Sequence, residues 1–198
     1  MYAGKELNRA RRESGLTLRK LAAFADTSSA AISQIETGKR GVSFERLHSL
    51  LNLTGHRFIT IPANAKTPAE VAESIQNALD GEKPLWAFRA FLAYSQILKS
   101  LDPVVRSALT LNGPETTGDP IDDASIAALV RFRLSVDSLP LPGWLDDPQF
   151  FLPTPTLLGA SFSDVIPLEV EVPTAFLHHN VLFPTVALES PGYLKSLC

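Results

Sequence analysis

The stretch Thr27 to Leu47, TSSAAISQIETGKRGVSFERL, decides how the beginning of the chain folds. Ser28 stands where an N-cap belongs, Ile32 and Ile35 recur at helical spacing, and Gly38 supplies a left-handed stop. The pattern predicts one helix from Ser28 to Thr37 and another capped by Ser43, with Phe44, Leu47, Leu50 and Leu51 apolar and Gly55 at its end. Upstream, Thr17 caps a helix running to about Ala25, with Leu18, Leu21, Ala22 and Phe24 on its apolar side. Residues 4–14 read as a basic helix that stops before Gly15, and RFITI (57–61) as a short strand.

Charge and proline usage divide the chain where this run of helices ends. Residues 1–61 hold ten Lys/Arg against five Asp/Glu, a balance of +5; residues 62–198 hold eight against sixteen, a balance of −8, within a total of −3. All fifteen prolines fall at or after Pro62. Opposite charge and different proline content imply two modules, 1–61 and 62–198, with different partners, joined by a linker at Pro62 to Lys66. With 45% hydrophobic residues the 198-residue chain has enough apolar material for real cores. No apolar run approaches the roughly 18 residues that span a bilayer, and the basic N-terminus lacks the apolar core of a secretory signal. The lone cysteine, Cys198, forms no disulfide framework within one chain. A cytoplasmic protein without membrane attachment is the expectation.

The acidic part opens with Thr67-Pro68-Ala69-Glu70, a capping box with proline at the first helical position, and its helix carries Val71, Ile75 and Leu79 up to Gly81. Residues 85–101 form a strongly apolar helix, in which Trp86, Phe88 and Phe91 read as core, as does Phe132 further on. Asp102-Pro103 starts a short helix, and Asp119-Pro120 caps one through about Asp137, with Asp122 and Asp123 in its first turn. From Pro140 the chain is proline-broken, with β-like runs in VIPLEVEV and HNVLF. The fold class is mainly α: a helix-turn-helix domain followed by a helical domain with a proline-rich, partly extended C-terminal region.

Two helices joined by a tight turn near Ala25 to Ser28 make a helix-turn-helix pattern. The start of its second helix would reach base edges in the major groove of double-stranded DNA. Ser29 and Ala30 are small enough for close approach, and Gln34, one turn on, suits bidentate pairing with adenine. Thr17, Ser28 and the free N–H groups of both helix starts suit phosphate oxygens, as do Lys39 and Arg40 beyond the stop. Arg9, Arg11 and Arg12 are less specific: they read first as a solvated basic face and second as further candidate DNA contacts. A dimer reading two half-sites one helical turn apart is the expected assembly.

The segment GLTLRKLAAFADTSSAAISQIETGKR (15–40) resembles the helix-turn-helix of the XRE/Cro/repressor family, whose fold is lambda-repressor-like, and aligns without a gap. The matching features are Leu21-Ala22, Ile32, Ile35-Glu36 and Gly38-Lys39. The resemblance implies base-reading positions at Ser29, Ala30 and Gln34 and phosphate contacts at Thr17, Ser28, Thr37 and Lys39. Arg19, Ser33 and Arg40 complete the DNA-facing set. One departure is Asp26, at a turn position where the family usually has glycine; aspartate tolerates the left-handed region better than most residues.

The acidic module shows no HExxH, P-loop or GxSxG pattern, and the adjacent His178 and His179 cannot share a helix face as metal-ligand pairs do. No cofactor and no enzymatic activity are expected. Trp144, Phe150 and Phe151 on the proline-broken segment have two readings: packing on their own helices, or an aromatic groove for a protein partner. TGDPIDDASIAALVRF, LPGWLDDPQFFL and VPTAFLHHNVLF together resemble the C-terminal region of bacterial XRE-type antitoxins encoded beside nucleotidyltransferase-like toxins, through Trp144, Asp147, Pro173, Phe176 and Asn180. That resemblance implies a toxin partner and autoregulation of an operon; the candidate partner-binding residues of this module are Trp144, Asp147, Phe150 and Phe151. A ligand-sensing repressor without a toxin is the alternative.

Overall fold

The computed structural model describes residues 2–58, 60, 65–161 and 167–190. The chain divides into two compact units, Met1–Ile61 and Pro62–Cys198. Among the described residues the secondary structure is almost wholly helical.

The first unit comprises α1 (Tyr2–Glu13), α2 (Leu18–Phe24), α3 (Ser29–Glu36) and α4 (Phe44–Leu53). Three hydroxyl caps set the helix starts. Thr17 accepts from the Lys20 amide at 3.2 Å, Ser28 from Ala31 at 3.1 Å and Ser43 from Arg46 at 3.2 Å. Each cap satisfies an amide that has no partner within the helix. Asp26 takes up the left-handed conformation (φ 47°) that the turn between α2 and α3 requires, and Gly38 does the same after α3 (φ 70°). The core gathers Leu7, Ala10, Leu21, Ala22, Ala25, Ile32, Ile35, Leu47, Leu50 and Leu51.

Two apolar assignments in this unit need correcting. Phe24 is 61% exposed and Phe44 is 64% exposed. The inward face of α2 is Leu21, Ala22 and Ala25, which turns Phe24 to the outside. Phe44 sits to one side of α4 and stacks on Phe58, centroids 5.1 Å apart, and on His48. That stacking occupies the RFITI segment in place of a strand: Arg57, Phe58 and Thr60 lie outside any ladder, while Ile59 and Ile61 fall outside the described residues. The linker reading at Pro62 to Lys66 also lies largely outside them.

The second unit packs α5 (Pro68–Asp80), α6 (Pro84–Ser100) and α7 (Pro103–Leu109) around α8 (Pro120–Val136). The Thr67/Glu70 capping box forms as the spacing predicts. α8 is buried without interruption from Asp123 to Val130, so it is the axis of this core and not a surface helix. Two short 3-10 turns (Gly143–Asp146 and Pro148–Phe150) follow, then β1 (Thr156–Leu157), α9 (Thr174–His178), β2 (Val181–Leu182) and α10 (Thr185–Glu189). β1 and β2 pair in parallel, with Thr156 opposite Val181 and Leu157 opposite Leu182. The HNVLF run thus contributes one strand.

Other readings in this unit are overturned. Trp86 is 61% exposed, since α6 turns Ala87, Phe88, Phe91, Leu92 and Leu98 inward; the Arg89 guanidinium covers the Trp86 ring at 5.7 Å. In VIPLEVEV, Val165 and Ile166 lie outside the described residues, and Glu169–Glu171 is a 3-10 turn, not a strand. Pro167 and Pro173 flank it and lack ladder donors, and the Glu171 carboxylate accepts from the Leu168 amide at 2.8 Å.

Buried arginines tie the periphery to α8. Arg133 donates to the Leu188 carbonyl at 2.8 Å, to Ser95 at 2.9 Å and to Glu189 at 2.5 Å, which fixes α10. Arg106 reaches from α7 to the Arg133 carbonyl at 2.8 Å and to Asp137.

Candidate nucleic-acid interface

α2, the turn at Ala25 to Ser28, and α3 build the helix-turn-helix. Ile32 and Ile35 anchor α3 in the core, so helical geometry sends Ala30 and Gln34 to the opposite side, while Ser29 lies beside them at the open first position of the helix. Those three are exposed, as are Thr17, Arg19, Ser28, Thr37, Lys39 and Arg40; Ser33 is half-buried. Apart from the half-buried Ser33, the sequence-derived set therefore lies on the accessible surface of α3, its flanking residues and the start of α2. The Ser28 and Thr17 hydroxyls already accept one amide each, and Thr37 donates to the Ser33 carbonyl at 2.8 Å. Hydroxyl oxygens retain further hydrogen-bonding capacity in these roles.

A hollow of about 260 Å³ lies between α3 and the segment leading into α4, lined by Thr27, Ala31, Arg40, Ser43 and Arg46. Arg46 donates across it to the Ala25 carbonyl at 2.9 Å, which joins α4 to the turn of the motif. Arg40 is held from the main chain, its amide donating to the Gln34 carbonyl at 3.0 Å. The basic residue beyond Gly38 is thereby placed close to the exposed face of α3.

How α3 is held was not evident from the sequence. Glu36, at its end, has a side chain only 4% exposed. Its carboxylate accepts from Arg11 through Nε at 2.7 Å and Nη2 at 2.9 Å, and from Asn8 at 2.5 Å. The pairing with Glu36 raises the pKa of the Arg11 guanidinium, whose Nη1 also donates to the Leu16 carbonyl at 3.0 Å. Arg11 is accordingly removed from the DNA-facing candidates: it is an internal brace between α1 and α3. Arg9 is engaged along its own helix with Glu6 and Glu13, while Arg12 stays exposed. A second brace is steric. A Cβ on Gly4 would lie 2.1 Å from the Ile35 carbonyl oxygen and 2.9 Å from that of Glu36, so only glycine lets α1 approach the end of α3 this closely. Glu36 stood out as a matching feature of the motif, but its partners lie 25 and 28 residues away and carry no local signal.

The aromatic partner-binding candidates of the second unit fare differently. Phe150 is 1% exposed, and Trp144 meets it edge to face at 5.2 Å. The Trp144 indole donates to the Thr110 carbonyl at 2.9 Å and covers Gly113 so closely that a Cβ there would lie 2.7 Å from the ring. Both rings are spent on the core of their own unit, which is the first of the two readings of this segment and takes Trp144 and Phe150 off the candidate partner surface. Phe151 is half-buried and stacks on His179 at 4.6 Å; Asp147 is exposed. Phe176 is fully buried, and Asn180 adopts φ 58° while donating to the Leu152 carbonyl at 2.6 Å. The residues that carry the C-terminal resemblance are thus mostly packing and turn positions.

His179 is fully buried, and its tautomer follows from its neighbours. Nδ1–H donates to the Phe150 carbonyl at 2.8 Å, and Nε2 accepts from Arg131 Nε at 3.0 Å. Burial, assisted by the charges of Arg131 and His178, pushes its pKa down to about 4. No group of histidines, cysteines and carboxylates suited to a metal ion occurs among the described residues.

No curated protein and no solved structure matches the chain significantly. One family model, described as a helix-turn-helix domain, matches residues 3–56, the span that holds α1 to α4. Over those residues the chain is similar to helix-turn-helix domains, and this supports a DNA-binding regulator.

Proposed function

We propose that the protein is a sequence-specific transcriptional regulator that binds operator DNA as a homodimer through the exposed face of α3, and that its second unit is the antitoxin of a nucleotidyltransferase-like toxin. The observation that carries the DNA reading is the exposure of Ser29, Ala30 and Gln34 on a helix whose other side is locked into the core. In this reading Ser29, Ala30, Ser33 and Gln34 contact base edges, and Thr17, Arg19, Ser28, Thr37, Lys39 and Arg40 contact phosphates. The protein works in the cytoplasm, catalyses no reaction and needs no cofactor. The antitoxin role rests on the sequence resemblance of residues 117–183 and on the acidic balance of residues 62–198, which suits a basic protein partner.

An operator selected from random duplexes and titrated by fluorescence anisotropy tests the first half. Gln34→Ala is expected to cost about 1–3 kcal/mol at one base position and to relax specificity there. Lys39→Ala is expected to weaken all sequences alike and to flatten the salt dependence. A selection that returns no preferred sequence overturns the reading. Co-expression with a nucleotidyltransferase-like toxin, encoded beside this chain if the reading holds, tests the second half, with restored growth and a stoichiometric complex as the expected result. A ligand-sensing repressor is the second reading; a groove of about 510 Å³ in the second unit has the volume for a small molecule but not the enclosure. A small molecule that changes operator affinity without any protein partner would establish it.

A further inference from the structure

The groove lies where the C-terminal half of α8 faces the start of α9. Its walls include Phe132, Ser135, Val136, Leu141, Ala175 and His178. Val136 is 63% exposed and Leu141 43%, so two large aliphatic side chains of this unit face solvent at one place. Arg131, the one arginine of the lining, is spoken for: it donates to His179 and is ion-paired with Asp146. Asp147 follows Asp146 and is exposed. On the other side Thr185, also a lining residue, donates to the Glu171 carbonyl at 2.9 Å, which brings the exposed Glu169–Glu171 turn to the rim. None of Asp147, Glu169 and Glu171 has an ion-pair partner among the described residues.

An apolar floor with uncompensated carboxylates on two sides repels nucleic acid and favours cations at its margin. Small ligands are usually enclosed over most of their surface, whereas this groove is open along its length and suits one face of a polypeptide element. We propose that the groove of α8 and α9 binds a short apolar segment of another protein flanked by Lys or Arg, with Val136, Leu141 and Ala175 taking the apolar side chains and Asp147, Glu169 and Glu171 the cations. This inference rests on the reading of the second unit as a protein-binding module, and it locates the contact away from Trp144 and Phe150.

The test is selection of phage-displayed random 12-residue peptides on the full-length protein, followed by titration of the selected peptides. The expected result is a consensus of two or more apolar residues with at least two Lys/Arg and no excess of Asp/Glu. Ala175→Arg, and separately Ser135→Arg at an exposed position that leaves the core intact, are expected to weaken these peptides at least tenfold while operator affinity stays unchanged. No enrichment, an acidic or purely polar consensus, or binding indifferent to both variants would overturn the proposal. So would a change in the sedimentation of the protein alone on Ala175→Arg, since a second copy would then be the occupant. Failure here and failure of the antitoxin reading are separable. Toxin still captured by both variants refutes the groove alone, and basic peptides bound in the groove without any toxin refute the antitoxin role alone.

Discussion

The two units use the same helix-starting devices, yet they build their cores in different ways. In the first, each helix buries one stripe: Leu21, Ala22 and Ala25 on α2, and Leu47, Leu50 and Leu51 on α4. The partners of each stripe arrive within a few tens of residues. In the second, α8 is buried on every side from Asp123 to Val130, and its wrapping includes Phe176 and Leu188, far along the chain. A one-sided stripe announces itself through its 3.6-residue period, whereas a helix buried all round loses that period. Polar braces differ in parallel. The first unit hangs α3 on one carboxylate, and the second threads several arginines through carbonyls.

The largest effect expected from breaking this comparison is at Glu36. Glu36→Ala leaves Arg11 and Asn8 facing an empty, desolvated site, and removing one partner of a buried pair costs about 3–5 kcal/mol. Far-UV circular dichroism during urea unfolding should show the first unit melting earlier, with operator affinity lost in step. A stable Glu36→Ala variant with normal operator binding would refute the brace.

The second unit offers a paired test. Trp144→Ala removes a ring wedged between Gly113 and Phe150 and a hydrogen bond to Thr110, and aromatic truncation in a core costs about 3–5 kcal/mol. Trp86→Ala, on an exposed ring, should fall within about 0.5 kcal/mol. Equal losses at the two tryptophans would contradict the assignment of one to the core and the other to the surface.

These cases show what was legible. The caps at Thr17, Ser28, Ser43 and Thr67, the left-handed Asp26 and Gly38, and the exposed Ser29, Ala30 and Gln34 all depend on neighbours in sequence. What α3 leans on, and which tryptophan is core, depend on contacts between distant segments. Trp86 and Phe24 read as apolar-face residues in the sequence because apolar residues next to an inward stripe look alike until its phase is set by tertiary packing.

Gly4→Ala sharpens the steric side of the comparison. The added methyl meets backbone carbonyls at the end of α3 and cannot be relieved by a side-chain rotation. Overpacking of this kind costs about 1–3 kcal/mol, and α1 must shift away from α3. The expected signature is a lower unfolding midpoint with a smaller loss of operator affinity than Glu36→Ala produces, because the carboxylate brace remains.

The smallest effect expected is one of pH, and it is confined to the second unit. His179 must stay neutral to accept from Arg131, and its folded pKa of about 4 lies below the ordinary value of 6.5. The unfolded chain therefore binds a proton that the folded chain refuses, and stability falls as pH drops from about 6.5 towards 4. Asp122 acts in the opposite sense. Burial first, and then the neighbouring carboxylates Asp119 and Asp123, push its pKa up from 3.8 to about 7, so its contribution is lost as pH rises across that range. The two slopes oppose each other between pH 4 and 6.5, which should leave the wild-type profile shallow. Both tryptophans lie beyond Pro62, so tryptophan fluorescence, excited selectively over tyrosine, reports on this unit alone during urea unfolding. Asp122→Asn should unmask the His179 slope, with stability declining on acidification. His179→Asn should leave the Asp122 slope, with stability rising as pH falls from about 7. Parallel profiles for the two variants would show that neither group is buried as the structure places it.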